Sequence, residues 1–245
     1  MTYRITVDCA VRDSEIELAR WYAQGAIAVE EIDRPGGLRL LIYFDRPREG
    51  AEPVDESIDW QAVSDEPWVP VEIGERFLLV PPDYAGDIPA GRIRLNYQRG
   101  QAWGTGSHAT TQLCLEALEL ALQPGDAFLD VGVGAGLLSM ATRALGASRV
   151  VGCDIDAASA SIAAQHTREP MFAGSARSVR NAGFDVVAAN VNSTVLENLR
   201  DEWPRILRPG GRLIGSGFRL GEEPALTLGE TGRLERDRWL AIVYR

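Results

Sequence analysis

Two histidines and three cysteines leave this chain of 245 residues almost no material for a metal centre. Cys9, Cys114 and Cys153 form no C-x-x-C pair, and zinc or iron–sulfur sites are built from such clusters. No metal is expected. Two of the cysteines sit inside apolar runs, where free thiols pack in a reducing compartment. No apolar run approaches the ~20 residues that a membrane-spanning helix needs. Residues 1–15 are polar and alternating, without the apolar stretch of a secretory signal. A cytoplasmic protein with no membrane partner is expected. Positive charge is also in deficit, with 25 Lys and Arg against 35 Asp and Glu and a formal net charge of −10. That balance argues against direct nucleic-acid binding as the main task. It suits a basic protein substrate, and equally an ordinary solvated acidic surface. Internal repeats and low-complexity tracts are absent as well.

What the chain does have is a hydrophobic fraction of 45%, enough for one large domain or a core domain with a smaller companion. Its most informative stretch is Ala-Phe-Leu-Asp-Val-Gly-Val-Gly-Ala-Gly at 127–136. An apolar run ends in glycines 132, 134 and 136, and a helix-like segment follows. Apolar residues before the glycines suit a buried parallel strand. Glycines let the chain turn tightly and let a ligand approach the backbone, and the helix start presents free N–H groups. The unit cradles a nucleotide-like ligand. Dinucleotide dehydrogenases favour G-x-G-x-x-G, whereas here the spacing is G-x-G-x-G with Leu137 next. A second apolar run, 149–153, ends in Asp154, 20 residues past Gly134. A carboxylate there can accept from both ribose hydroxyls. The combination resembles class I S-adenosylmethionine methyltransferases; a dehydrogenase or a ligandless Rossmann core are the other readings.

Along the chain, residues 3–9 alternate as a half-buried strand, a helix follows to about Gln24, and 26–32 and 38–44 read as two strands. Residues 45–57 read as a loop. This is a small α+β domain over 1–57. A short helix at 58–64, strands at 68–73, 76–80 and 92–96, and the turn at Gly74 make a connecting segment over 58–95. The domain from 96 to 245 alternates strands and helices: strands 127–131, 149–153, 184–189 and 212–215, helices 137–145, 157–166 and 194–207. A terminal antiparallel hairpin pairs 233–236 with 239–244. That pattern predicts a Rossmann-like, doubly wound, mostly parallel sheet. The ends of its first three strands bring Gly132, Asp154 and Asn190 to one edge.

Residues 102–118, Ala-Trp-Gly-Thr-Gly-Ser-His-Ala-Thr-Thr-Gln-Leu-Cys-Leu-Glu-Ala-Leu, resemble the AFGTGxHxTTxLCLxxL signature of the ribosomal protein L11 methyltransferase (PrmA) family. The resemblance continues through 129–136, 152–156, the FDVVAANV of 184–191, 207–211 and Ser216-Gly217, and upstream through IGERFLLVPP at 73–82. It implies a ferredoxin-like N-terminal domain that selects a ribosomal substrate, S-adenosylmethionine as cofactor, and methylation of lysine or N-terminal amines. It implies cofactor contacts from Thr111, Gly132, Asp154 and Asn190. The loop Trp103, Gly104, Thr105 and Gly106 closes over the cofactor, Gly134 completes the set, and Asp130 either joins it or contacts the loop backbone instead. Asn190 is the candidate catalytic residue, its amide able to orient the accepting amine. His108 reads as a hydrogen-bonding residue of the turn, and Asp156 as a helix cap. The sequence departs from the family at 96–101, where Asp-Pro-Gly is missing, at 165–167, and in an N-terminal domain without room for a second helix. A small-molecule methyltransferase and a module that binds cofactor without catalysis therefore stand as alternatives.

Overall fold

The computed structural model describes residues 2–10, 14–26, 28–34, 37–54, 70–96 and 108–245. Its contacts divide the chain into two units, Met1–Pro67 and Trp68–Arg245.

In the first unit, β1 (Thr2–Cys9), α1 (Ser14–Ala23), β2 (Ala28–Arg34), β3 (Gly37–Phe44) and β4 (Glu52–Val54) build a sheet of order β2-β3-β1-β4. Leu38, Leu40, Ile42 and Phe44 alternate along β3 and are buried, as the two-residue period of a strand requires. Trp21 packs edge-on against Phe44, with ring centroids 6.2 Å apart. On the opposite side of β3, the Arg39 guanidinium grips both carboxylate oxygens of Asp8 at 2.7 and 2.9 Å. The loop expected at 45–57 contains β4, which pairs antiparallel with β1. Its three residues, Glu52-Pro53-Val54, are too few for periodicity, and Pro53 is tolerated because β4 is an edge strand. The helix expected at 58–64 lies outside the described residues.

The second unit begins with β5 (Val71–Ile73), β6 (Phe77–Val80) and β7 (Ile93–Asn96), a three-stranded sheet. Its first turn is held by Glu119 of α2 (Ala109–Ala121), whose carboxylate accepts from the N–H groups of Glu75 and Arg76, both at 2.9 Å. The large sheet has the order β10-β9-β8-β11-β12-β14-β13, from β8 (Ala127–Val131), β9 (Arg149–Asp154), β10 (Met171–Ala173), β11 (Phe184–Asn190), β12 (Leu207–Arg219), β13 (Glu230–Arg236) and β14 (Trp239–Tyr244). Its first five strands are parallel, and β14 and β13 run antiparallel at one side. Both faces are covered, so the central strands are apolar throughout. Phe128, Val186, Ala188 and Ile214 face α2 and α3 (Leu137–Ala144). Leu129, Val187, Ala189 and Leu213 face α5 (Ser193–Asn198) and α6 (Glu202–Ile206). Between β9 and β10 runs α4 (Ala157–Thr167), capped by Asp156, which accepts from the N–H groups of Ala158 and Ser159. This is the α/β, Rossmann-like, mostly parallel architecture expected.

Two expectations are corrected, and one strand was not foreseen. The single helix expected over 194–207 is two short helices, α5 and α6, because Pro204 has no N–H and its ring would collide with the carbonyl of Arg200 in a continuous helix. Trp203, fully buried, spans the break by donating its Nε1–H to the Leu196 carbonyl at 2.9 Å. The edge strand β10 follows directly on Pro170 and is too short to show a period. Finally, β12 does not stop at Gly215 but runs on to Arg219 past a register shift between Ser216 and Phe218. Gly217 makes this possible. Its φ is +99°, and a Cβ there would lie 2.5 Å from the Val191 carbonyl oxygen. Gly217→Ala should therefore cost about 2–4 kcal/mol of stability, combining a strained conformation with a backbone collision; a thermal melt indistinguishable from wild type would refute the close approach.

Candidate active site

The carboxyl ends of β8, β9 and β11 form one edge of the large sheet, with the start of α2 beside it. Gly132, Gly134 and Gly136 after β8 all have positive φ, at +74°, +52° and +87°. At Gly132 the need is also steric: a Cβ would stand 2.7 Å from Cγ1 of Val191. The loop is pinned from β9. The Gly132 and Val133 N–H groups donate to the Cys153 carbonyl at 2.8 and 3.1 Å. Asp154 accepts from the Gly134 N–H at 3.0 Å through one oxygen and from the Asp156 N–H at 3.0 Å through the other. A carboxylate has about four lone-pair sites, so Asp154 keeps acceptor capacity for a diol. Ile155, next along, is 88% exposed. An isoleucine so bare beside this carboxylate presents an apolar surface at the sheet edge. The sequence reading missed it; a hydrophobic residue following the strand-end acid was the available signal.

Asp130 stands apart from this surface. It is 1% exposed and accepts from the Ser139 hydroxyl of α3 at 2.7 Å. Burial pushes its carboxyl up to about 7, against the opposing pull of the Ser139 bonds. With almost no surface to offer a ligand, it braces α3 under the glycine loop.

Asn190, at the end of β11, donates through Nδ2 to the Thr111 hydroxyl at 3.4 Å. That contact directs its amide oxygen away from Thr111. Both residues lie beside the start of α2, where His108 is the N-cap. His108 Nδ1 accepts from the Thr110 N–H at 3.4 Å and lies 2.8 Å from the Thr110 hydroxyl. With Nδ1 accepting, a neutral ring carries its proton on Nε2. Desolvation, and next the charge of Arg219, push His108 below the ordinary histidine range. Its ring meets Trp239 edge-on, with centroids 4.9 Å apart.

Trp239 opens β14, and sequence reasoning had assigned it only to a hairpin. The hairpin is tied to α2 by Arg236, which donates to Gln112 and Glu116, both at 2.8 Å. Across the sheet edge, then, lie the glycine loop with Asp154, then Asn190 with Thr111, then the His108–Trp239 wall. Trp103, Gly104, Thr105 and Gly106 lie outside the described residues. Among the described residues no group of His, Cys, Asp and Glu is placed to hold a metal ion, and no helix is long and apolar enough to cross a membrane.

The family model for ribosomal protein L11 methyltransferase (PrmA) matches residues 42–225. The chain belongs to the PrmA family. Its relatives include the ribosomal protein L11 methyltransferase of Desulfosudis oleivorans, 36% identical over 79% of this chain and 69% of that protein. Those of Desulforamulus reducens and Cupriavidus taiwanensis are 35% and 39% identical over 76% and 69% of this chain. The match spans 65% and 59% of those two PrmA proteins, so the chain covers roughly two thirds or less of their length. Among solved structures, a ribosomal protein L11 methylase from Lactobacillus delbrueckii subsp. bulgaricus shares the fold, with a TM-score of 0.64 at 23% identity over 73% of this chain and 98% of that one.

Proposed function

We propose that this chain is an S-adenosylmethionine-dependent protein N-methyltransferase acting on lysine or N-terminal amines of a ribosomal protein of the L11 type, in the cytoplasm. The observation that carries the reading is a single sheet edge on which a glycine loop and Asp154 stand beside Asn190 and Thr111, all inside the segment matching the PrmA family; the His108–Trp239 wall adjoins it. The site fits the cofactor: the loop leaves bare backbone, Asp154 retains lone pairs, and Ile155 offers an apolar face. In this reading Gly132, Gly134 and Asp154 hold the nucleoside, Thr111 lies by its methionine end, and Trp103 to Gly106 close over it. The small domain of residues 1–57 selects the protein substrate, the segment 58–95 joins it to the methyltransferase domain, and the acidic surface attracts a basic partner.

When bound, the cofactor supplies an electrophilic methyl group on a sulfonium. The protein's task is to present a neutral amine in line, with the reacting atoms roughly 3 Å apart. A lysine amine ionises near pH 10.4 in water, so about one molecule in a thousand is neutral at physiological pH. Asn190 answers the orientation problem. Its Nδ2 is committed to Thr111, and its amide oxygen accepts an N–H of the incoming amine, turning the lone pair toward the methyl group. The waiting proton leaves to water before attack.

Incubating the chain with radiolabelled cofactor and purified L11 tests the reading. The sequence contains no lysine, so methyl-lysine found in the reaction belongs to the substrate. Absence of label on L11 under conditions where S-adenosylhomocysteine stabilises the chain would leave a cofactor-binding module or another acceptor. In Asn190→Ala, the single-turnover rate should fall about a hundredfold, the scale of one lost transition-state hydrogen bond in a dry site, with cofactor affinity changed much less. Full activity in that variant removes Asn190 from the mechanism.

A further inference from the structure

The far edge of the large sheet, where its parallel strands begin, carries charge of the opposite sign to the chain as a whole. Arg149 opens β9, Asp185 lies one residue into β11, Arg208 lies one residue into β12, and Arg180 stands in the turn before β11. The Arg149 guanidinium lies over the Phe184 ring, 4.6 Å from its centroid, and donates through Nη2 to the Gly183 carbonyl. Arg180 flanks the same glycine: a Cβ on Gly183 would stand 3.7 Å from Arg180 Cγ and 3.8 Å from Arg149 Nη2. Arg208 donates to Asp185 at 2.5 Å, and the same carboxylate oxygen accepts from the Ala127 N–H at 2.8 Å. Three guanidiniums therefore share one carboxylate, a local excess of positive charge on a chain of net charge −10.

The cluster is incomplete as it stands. Arg180 is exposed, and among the described residues no hydrogen bond or ion pair engages its side chain. The Nε of Arg149, sealed from solvent, has no hydrogen-bond partner. Burial, and then the charges of Arg180 and Arg208, push Arg149 below the ordinary arginine range, the mark of like charges held together. The loop that presents Arg180 is also strained. Ala182 has a φ of +45°, where residues with a side chain are uncommon. It is held there by its N–H to the Arg205 carbonyl and by the Gly183 N–H to the Ile206 carbonyl, both at 2.8 Å. Arg205 adds nothing to the excess charge. It is paired with Glu202 and anchors the loop through Asn181 at 2.8 Å and the Ala176 carbonyl at 3.0 Å. Strain that the surroundings enforce in this way collects at ligand sites.

We propose that Arg149, Arg180 and Arg208 form a binding site for a phosphate dianion, either inorganic phosphate or the terminal group of a phosphomonoester. Guanidiniums present paired N–H donors in a plane and match oxyanions closely. A tetrahedral dianion has oxygens enough for all three side chains, and its charge balances the local excess. A carboxylate would bring a single charge and two oxygens, and Asp185 already supplies one. The site stands at the opposite ends of β9 and β11 from Asp154 and Asn190, about 17 Å along the strands. It is thus separate from the cofactor edge, and the inference goes beyond the methyltransferase reading without depending on it.

The test follows heat unfolding of the chain against inorganic phosphate, with chloride holding the ionic strength constant and S-adenosylhomocysteine keeping phosphate off the cofactor edge. Saturable stabilisation is expected, with Tm raised by about 3–6 °C at ten times the dissociation constant. Arg180→Gln changes an exposed side chain, so it should fold as wild type and bind phosphate about tenfold more weakly. Arg76→Gln, in the turn between β5 and β6, removes the same charge elsewhere and should bind as wild type. In amide NMR spectra, phosphate should move Ala182 and Gly183 and leave Gly132 and Gly134 in place. Glycerol 3-phosphate separates the sources: affinity at or above that of phosphate identifies a phosphomonoester, and binding of phosphate alone identifies the free ion. Dimethyl phosphate, with one charge, should bind at least about tenfold more weakly than phosphate. Stabilisation that does not saturate, equal affinity in Arg180→Gln, or amide shifts confined to the glycine loop overturns the site, and equal binding of dimethyl phosphate overturns the dianion. Failure of S-adenosylhomocysteine to stabilise the chain counts against the methyltransferase reading alone, and the phosphate titration is then read without it.

Discussion

Asp154→Ala should weaken S-adenosylhomocysteine binding about a hundredfold or more, roughly 3 kcal/mol on the scale of two lost charge-assisted hydrogen bonds. The effect exceeds that of a simple ribose contact because the same carboxylate holds the loop. Its two oxygens accept from Gly134 and Asp156. Removing them frees the bend between Gly132 and Gly136 as well as deleting the acceptor proposed for the ribose diol. Isothermal titration against wild type measures the loss. Asp154→Asn separates the two roles: its amide retains one acceptor oxygen and so can hold one loop N–H, but cannot accept from two hydroxyls. Affinity within threefold of wild type in the alanine variant would show that the ligand does not lie on this edge.

The second large effect concerns Asp130. Burial raises its carboxyl to about 7 in the folded chain, against roughly 3.9 when unfolded. Between those values the folded state holds a proton that the unfolded state has released, so stability falls as pH rises from about 4 to about 7 and levels off above. The full span is an upper bound of about 4 kcal/mol. Replacing this carboxyl with a carboxamide removes the titrating proton, while the amide oxygen still accepts from Ser139. Asp130→Asn should therefore melt about 5–10 °C above wild type at pH 8 and close to it at pH 4, the conversion appropriate to a domain of this size. Equal differences at the two pH values would mean that Asp130 is ionised or neutral throughout, and that its position two residues before the first glycine is a matter of packing alone.

Much of the site was legible because its parts lie at strand ends, where apolar runs stop abruptly. Gly132, Asp154 and Asn190 were each marked by such a stop, and the sheet order puts β9, β8 and β11 side by side. Asp156 and His108 were legible as polar residues at helix starts. Arg219 and Trp239, register partners in β12 and β14, were not. Their meeting depends on β12 continuing through Gly215-Ser216-Gly217, which reads as a strand breaker until Gly217 is seen to accommodate Val191 at close range. It depends too on the register of β14, set by tertiary pairing that no local pattern encodes. Asp130 was recognised as a member of the motif with its role left open, since sequence does not distinguish a carboxylate above a loop from one beneath it. The N-terminal sheet was visible through alternation in β1 and the two strand-like runs that follow α1, while β4 was too short to be seen.

The pairing order at one side of the large sheet bears on how the molecule assembles. β14 lies between β12 and β13, so β13 reaches the sheet only through it. Yet β13 and β14 are joined by a tight turn, Arg236 pairing with Trp239, so the two can reach β12 together as a hairpin. The β12–β14 partners lie 20 to 31 residues apart along the chain, from Arg219 with Trp239 to Leu213 with Tyr244, whereas Val186 and Phe128 of the parallel half lie 58 apart. Loop closure costs less over the shorter separation. The antiparallel side that carries Trp239 is therefore entropically the easier part of the sheet to close, and the parallel edge that carries the glycine loop the harder.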